Sequence, residues 1–175
     1  KGKPWAYSGA IDVSDCSTAK EVMIKANLNF EVAKCELVGK MPIKLTGTDE
    51  ELDRIIKEQK NGAHVFGTDI YRECDNAFAT YRTDCNIPLG TVRNKYTIVQ
   101  NNEAFNFFDD AIGKNSAIWQ TAGFWGNGER IFVSAKLPNN ILVKGDPVEN
   151  YLVFTNTHDG SGGVKILFTP IRVIC

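Results

Sequence analysis

The stretch whose reading decides the fold is Asn150-Tyr151-Leu152-Val153-Phe154-Thr155-Asn156-Thr157-His158-Asp159-Gly160-Ser161-Gly162-Gly163-Val164-Lys165-Ile166-Leu167-Phe168-Thr169-Pro170-Ile171-Arg172-Val173-Ile174-Cys175. Two apolar runs rich in β-branched and aromatic residues flank the polar turn His158–Gly163. Runs of that composition on either side of a glycine cluster read as the two strands of a hairpin. The stretch also holds one of the chain's two histidines. It is therefore both the expected core hairpin and the place where reactive side chains crowd together.

Upstream of it the pattern stays β. Ala117 to Trp125 and Arg130 to Leu137 read as strands joined by Gly126-Asn127-Gly128, because Asn-Gly supplies positive φ at little cost. Asn139-Asn140 and Gly145-Asp146-Pro147 read as further turns. Ahead of these a helix starts at Asn101 or Asn102. It carries Ala104, Phe105, Phe108, Ala111 and Ile112, with Phe107 widening the apolar face and Gly113 at the stop. This Phe-rich helix is expected to pack on the sheet. Asn76 to Asp84 alternates polar and apolar residues and reads as a strand, followed by the turn Asn86-Ile87-Pro88 and sheet through Leu89–Val92 and Tyr96–Val99.

The first half is more helical. Thr18 with Glu21 forms a capping box ahead of Ala19, Val22, Met23 and Ala26, and Thr48 with Glu51 forms a second ahead of Leu52, Ile55 and Ile56. Between them Phe30 to Val38 reads as a strand and residues 39–48 as a loop. Val65-Phe66 and Ile70-Tyr71 read as short edge strands, and Pro4-Trp5-Ala6-Tyr7 as an aromatic arm over the domain. Helices first and strands later argue for an α+β fold, mostly antiparallel with about three helices, not for alternating βαβ units.

At 175 residues, 43% hydrophobic and 23% charged, the chain suits one domain with a real core. A net charge of -1 shows no global footprint for nucleic acid or membrane, although a local basic face remains open. Cysteines at 16, 35, 74, 85 and 175 are odd in number and lack metal-knuckle spacing, so they read as reduced thiols. Neither metal nor other cofactor is expected, and no long apolar segment points to a membrane. The chain opens on Lys1 and stops at Cys175 inside an apolar run, and it reads as a piece of a longer polypeptide.

Several blocks together resemble a family of phage- and plasmid-borne proteins, domain of unknown function 932. These are Tyr81-Arg82-Thr83-Asp84, Leu89-Gly90-Thr91-Val92 with Tyr96, Val99-Gln100-Asn101-Asn102-Glu103-Ala104-Phe105, Thr121-Ala122-Gly123, Asn156-Thr157-His158-Asp159-Gly160-Ser161 and Thr169-Pro170-Ile171-Arg172-Val173-Ile174-Cys175. The resemblance runs over roughly the last 100 residues, with a weaker echo in Pro4-Trp5 and the first helix. It implies a mobile-element origin, a cytoplasmic setting in a bacterial host, and a chain that continues past Cys175. It supplies no reaction. Residues 40–75 read as an insertion relative to the family pattern.

The candidate chemistry is sparse. His158, Asp159 and Ser161 have the residue types of a hydrolytic triad, but triad members normally converge from separate elements. The same turn, with Gly160, Gly162 and Gly163, can instead present backbone N–H groups to an anion, or simply turn the chain. Arg82 and Asp84 share a strand face and read either as a phosphate contact or as a structural ion pair. Arg172 is a charge in an apolar strand and needs a partner, for which Asp84 and Asp159 are the candidates. Trp119 and Trp125 have the spacing to share a face of the hairpin, as a base-stacking platform or as core. The binding set expected from the sequence is thus Arg82, Asp84, His158, Arg172, Trp119 and Trp125. The function expected first is a non-enzymatic nucleic-acid protein that binds or anneals single strands. The alternatives are a small hydrolase or transferase with a cleft near His158 and Arg172, and a protein that assembles with itself or a host partner.

Overall fold

The computed structural model describes residues 9–42, 47–66, 69–112, 118–138, 141–143 and 146–172, with backbone alone for Ala111, Ile112, Ile141, Asp146 and Arg172. The aromatic arm at Pro4-Trp5, the stop at Gly113, the Asn139-Asn140 turn and Cys175 lie outside the described residues. The first half contains β1 (Ile11–Asp12), α1 (Ala19–Lys25), β2 (Val32–Pro42), α2 (Asp49–Lys60), β3 (His64–Phe66), β4 (Asp69–Arg82) and β5 (Pro88–Arg93). The second contains α3 (Asn101–Ile112), β6 (Ile118–Trp125), β7 (Arg130–Lys136), β8 (Ile141–Val143), β9 (Asp146–Thr157) and β10 (Lys165–Arg172).

The fold is α+β and built on two antiparallel sheets. The first sheet runs β1-β6-β7-β9-β10, with β8 beside β9 beyond the end of β7. In the second, β4 carries β2 along one edge, and β3 and β5 at opposite ends of the other. The opening hairpin is β9–β10, paired from Lys165 opposite Thr155 to Arg172 opposite Val148.

Helix α3 covers one face of the first sheet. Phe105 and Phe108 meet Phe154 of β9 with ring centroids 6.1 and 5.6 Å apart, and Phe108 meets Trp119 of β6 at 5.8 Å. Val22 and Ala19 of α1, Leu28 and Phe30 complete this core. Phe107 is exposed, so the apolar face of α3 is a single stripe after all. The Thr18 hydroxyl accepts from Glu21 N, and Glu21 reaches back to Ser17 N. At α2 only half of the expected box forms: Glu51 accepts from Gly47 N, while the Thr48 side chain makes no cap bond. Helix α2 buries none of its residues and lies on the surface.

Three strand assignments differ from the sequence reading. Strand β2 continues through Gly39 to Pro42, because β4 offers a continuous ladder from Asp69 to Glu73; Pro42 is tolerated as the terminal residue. Ile70-Tyr71 and Asn76–Arg82 belong to one strand, β4, interrupted by a bulge. Between the pairs Glu36–Phe78 and Val38–Glu73, β2 has one residue (37) and β4 has four (74–77). Asn76 takes up the kink at φ 56°. Tyr96–Gln100 is not a strand. The Gln100 side-chain amide takes the place of one, donating to Val32 O at 2.7 Å and accepting from Val32 N at 3.1 Å.

The β6–β7 turn is locked against the core. Gly128 has φ 117°, and a Cβ there would lie 2.7 Å from the Phe30 ring, which is itself buried. Gly62 has a similar positive φ but open space around it. Gly128→Ala is therefore expected to cost about 2 kcal/mol or more, combining backbone strain with overpacking. Gly62→Ala should cost only the strain, about 1 kcal/mol. Denaturant midpoints of the two variants check this, and equal losses would remove the Phe30 contact from the explanation.

Candidate functional site

The most chemical-looking residue of the sequence turns inward. His158 follows the last residue of β9, and its backbone N donates to Glu129 O at 2.7 Å. Its carbonyl accepts from the Thr80 hydroxyl of β4 at 2.6 Å. Its ring is fully buried, edge-on to Phe30, with Nε2 2.8 Å from Asn101 Oδ1. Asn101 opens α3, and its Nδ2 donates to Leu28 O at 2.9 Å and Phe30 O at 3.4 Å. With the amide nitrogen so committed, Asn101 Oδ1 is the acceptor, and His158 Nε2 must carry the proton. Nδ1 is then a bare lone pair, buried without a partner among the described residues. Burial pushes the imidazole pKa down to about 4, against the pull of the Asp159 carboxylate. His158 is thus a neutral core residue at the seam of the two sheets.

No triad forms around it. Asp159 Oδ1 accepts from Ser161 N at 2.8 Å, a local turn, and Arg130 lies 3.4 Å from Asp159 Oδ2 and 3.3 Å from Ser161 Oγ. Burial works to raise the Asp159 pKa, but the Ser161 and Arg130 hydrogen bonds outweigh it and hold the carboxyl below its ordinary value. The loop is pressed onto β5: a Cβ at Gly90 would lie 2.5 Å from Asp159 Cα and O. Only glycine permits that approach.

Arg82 and Asp84 form a clamp between the sheets. The Arg82 guanidinium makes a fork to both Asp84 oxygens (3.0 and 2.7 Å), donates from Nη1 to Asn127 O at 2.9 Å, and lies 4.0 Å from the Phe30 ring centroid. Hydrogen bonding to Arg82 pulls the Asp84 pKa down to about 2. With its side chain only 16% exposed, Arg82 joins β4 to the β6–β7 turn and is spent on that contact. Arg172 sits opposite Val148 at the end of β10. Its side chain lies outside the described residues, and both partners expected for it are engaged elsewhere, Asp84 by Arg82 and Asp159 by Arg130.

The two tryptophans do not form a platform. A bulge between Trp119 and Thr121 shifts the register of β6 by one residue and reverses the parity on which a shared face depended. Trp119 is 3% exposed and packs on Phe108, whereas Trp125 is 42% exposed on the opposite face.

Trp125 stands in company that the sequence reading missed. It pairs with Arg130, Arg130 with Thr157, Phe132 with Thr155, and Thr155 with Lys165. Cross-strand pairs share a face, so these side chains form two rows on the side of the first sheet away from α3. Trp125, Arg130, Thr155, Thr157, Ser161, Gly162 and Lys165 line a groove of about 300 Å³. A second groove of about 370 Å³ opens beside Trp125, Gly126, Glu129 and Arg130. The indole is fixed by Phe132, ring centroids 4.9 Å apart. The Thr157 hydroxyl has no hydrogen-bond partner among the described residues. Arg130 was readable from the Asn-Gly turn, which sets it opposite Trp125. Lys165 was not, because the long turn from His158 leaves the β9–β10 register open.

Among the described residues no His, Cys, Asp or Glu cluster suits a metal ion, and no helix is long and apolar enough to cross a membrane. Cys16, Cys35, Cys74 and Cys85 are free thiols. The molecule is thus a two-sheet antiparallel α+β protein with a surface groove and a sealed histidine. Residues 88–175, half of the chain, match the family described as Domain of unknown function (DUF932), and the chain belongs to that family. The match covers β5 through β10; Tyr81–Asp84 and residues 40–75 precede it. No curated protein and no solved structure matches the chain.

The buried imidazole makes stability depend on pH. Its folded pKa of about 4 lies below the ordinary 6.5, so the unfolded chain binds the extra proton between those values. Stability is full above pH 6.5 and falls as pH drops toward 4, by on the order of 3 kcal/mol. Denaturant midpoints between pH 7 and 4.5 should fall more steeply for the native chain than for His158→Gln. Parallel slopes would mean that the ring is not held neutral by the fold.

Proposed function

We propose that this protein is a non-enzymatic nucleic-acid-binding protein that holds single strands across the Trp125–Arg130–Lys165 face. The observation that carries the reading is Trp125: a half-exposed indole held rigid by Phe132, between two grooves and beside cations on neighbouring strands. Bases have flat π-faces that stack on an indole, and phosphates pair with guanidinium and ammonium groups. Thr155, Thr157 and Ser161 add hydroxyls suited to phosphate and sugar oxygens. A fixed indole loses little freedom on binding. Duplexes keep their bases stacked inside, so this arrangement favours single strands. The net charge of -1 supplies no global field, so the reading draws on the local cations Arg130 and Lys165, of which Arg130 also pairs with Asp159. A bacterial cytoplasm and a mobile-element origin suit such a role.

The hydrolase alternative draws no support from His158, whose ring is buried with its Nε2 committed to Asn101. Self-assembly draws on one observation. Strand β10 ends the first sheet, and it exposes Ile166, Leu167 and Phe168 beside an edge that pairs with no described strand. Light scattering of the full chain separates this reading from the first, which needs no oligomer.

Filter binding with single-stranded and duplex oligonucleotides tests the proposal. Single strands should bind with a salt-dependent affinity and outcompete duplex. Trp125→Ala should weaken binding by about 5- to 150-fold, the worth of one stacked base, and Arg130→Ala should flatten the salt dependence. Absence of salt-sensitive single-strand binding, or unchanged binding by both variants, would overturn it.

A further inference from the structure

The β6–β7 turn carries a carboxylate that the fold holds in one place. Glu129 Oε2 accepts from Asn127 N at 2.5 Å, and Oε1 lies 3.5 Å from Asn127 Nδ2. The carboxylate sits over the backbone of Gly126, the residue after Trp125, where a Cβ would collide with it. The backbone of Glu129 is anchored too, since its carbonyl accepts from His158 N at 2.7 Å. No ion pair joins Glu129 to Arg130 among the described residues; Arg130 pairs with Asp159. Asn127 thus takes at most one lone-pair direction on each oxygen, and a carboxylate has about four in all. One direction on each oxygen is left for a ligand.

Glu129 is half-buried and lines the groove of about 370 Å³ with Trp125, Gly126 and Arg130. A fixed indole and a fixed acceptor therefore share one small space. A single strand leaves the Watson–Crick edges of its bases open, so a base stacked on Trp125 has that edge to offer. A carboxylate accepts and does not donate. Guanine sets two donors side by side on this edge, N1–H and the N2 amine, and they match the two oxygens. Thymine sets one N–H between two carbonyl oxygens, which a carboxylate repels. Adenine and cytosine each set an amine beside an acceptor ring nitrogen, so only one bond forms.

We infer that Glu129 reads the base stacked on Trp125 and selects guanine. This rests on the single-strand reading of the Trp125 face and adds base specificity to it. Stacking on an indole is common to all bases, and a cation beside it takes phosphate whatever the sequence. Glu129 instead meets the edge on which the bases differ. In Glu129→Gln one carboxylate oxygen becomes an N–H donor, and the resulting donor–acceptor pair matches the amine and ring nitrogen of adenine.

The test measures binding of oligothymidylates of about 8 nucleotides, with thymine, adenine, guanine or hypoxanthine as the central base, to the native chain and to Glu129→Gln. The native chain should bind the guanine oligomer about 5- to 150-fold more tightly than the thymine one, the worth of a bidentate base contact. Hypoxanthine, which keeps N1–H and lacks the N2 amine, should fall between them. Glu129→Gln should lose the guanine preference and bind the adenine oligomer more tightly than the guanine one. Loss of a negative charge alone would raise all four affinities together, so the ratio between bases is the readout. Equal affinity of the native chain for guanine and thymine, or for guanine and hypoxanthine, overturns the inference, and that comparison needs no variant. A guanine preference that survives in Glu129→Gln overturns it as well; in each case the Trp125 site stands. If the native chain binds none of the four, the single-strand reading falls too.

Discussion

The structure depends on one buried hydrogen bond, from His158 Nε2 to Asn101 Oδ1. Neither residue has access to water to replace it. A buried imidazole or amide left unpaired costs several times the net worth of a satisfied hydrogen bond, so the pair tolerates no alternative arrangement. The constraint spreads because each partner is tied further. Asn101 Nδ2 holds the carbonyls of Leu28 and Phe30, which fixes the start of α3 against the segment entering β2. The His158 carbonyl holds Thr80 of β4, and its N–H holds Glu129 of the β6–β7 turn. One residue therefore joins both sheets, the main helix and the turn that carries Trp125.

That seam also fixes the surface next to it. Binding grooves need fixed walls, and loops supply them poorly unless anchored. Here the residue before Asp159 is sealed in the core, and Gly90 lets the Asp159 backbone lie directly on β5. Tyr96 and Asn156 add hydrogen bonds across the same boundary. The turn from Asp159 to Gly163 is thus pinned at its base. Arg82 secures a second boundary by holding Asn127, in the turn from which Trp125 and Arg130 emerge.

Much of the fold was legible because its signals are local. The β9–β10 hairpin announced itself by two β-prone runs around glycines, and α3 by Phe105 and Phe108 at helical spacing. What stayed hidden depends on partners distant in sequence. Nothing near His158 marks it as buried; the residue that makes burial possible is Asn101, 57 positions away. The histidine's polar neighbours made it look like a loop tip. The Trp119 and Trp125 faces were misread because a bulge adds one residue to the register, and alternation alone cannot reveal it. Gln100 acts as a strand without belonging to one, which composition cannot anticipate. Arg82 was legible as half of an ion pair, but its ring contact with Phe30 was not.

The same network bears on what the family segment is physically. The match begins at Pro88, yet the groups that satisfy its buried polar atoms lie before it. Asn101 needs the carbonyls of Leu28 and Phe30, Gln100 needs both backbone groups of Val32, and the His158 carbonyl needs Thr80. Phe30 and Leu28 also fill the core under α3, and the Phe30 ring is what Gly128 makes room for. Detached from these partners, residues 88–175 would keep the hairpin and the Phe-rich helix but expose a half-satisfied polar network, which is worse than an apolar surface of the same shape. The first half of the chain is therefore not an appendage to the family segment. It supplies β2, β3 and β4 of the second sheet, to which that segment adds β5, and its Thr80 holds the His158 carbonyl.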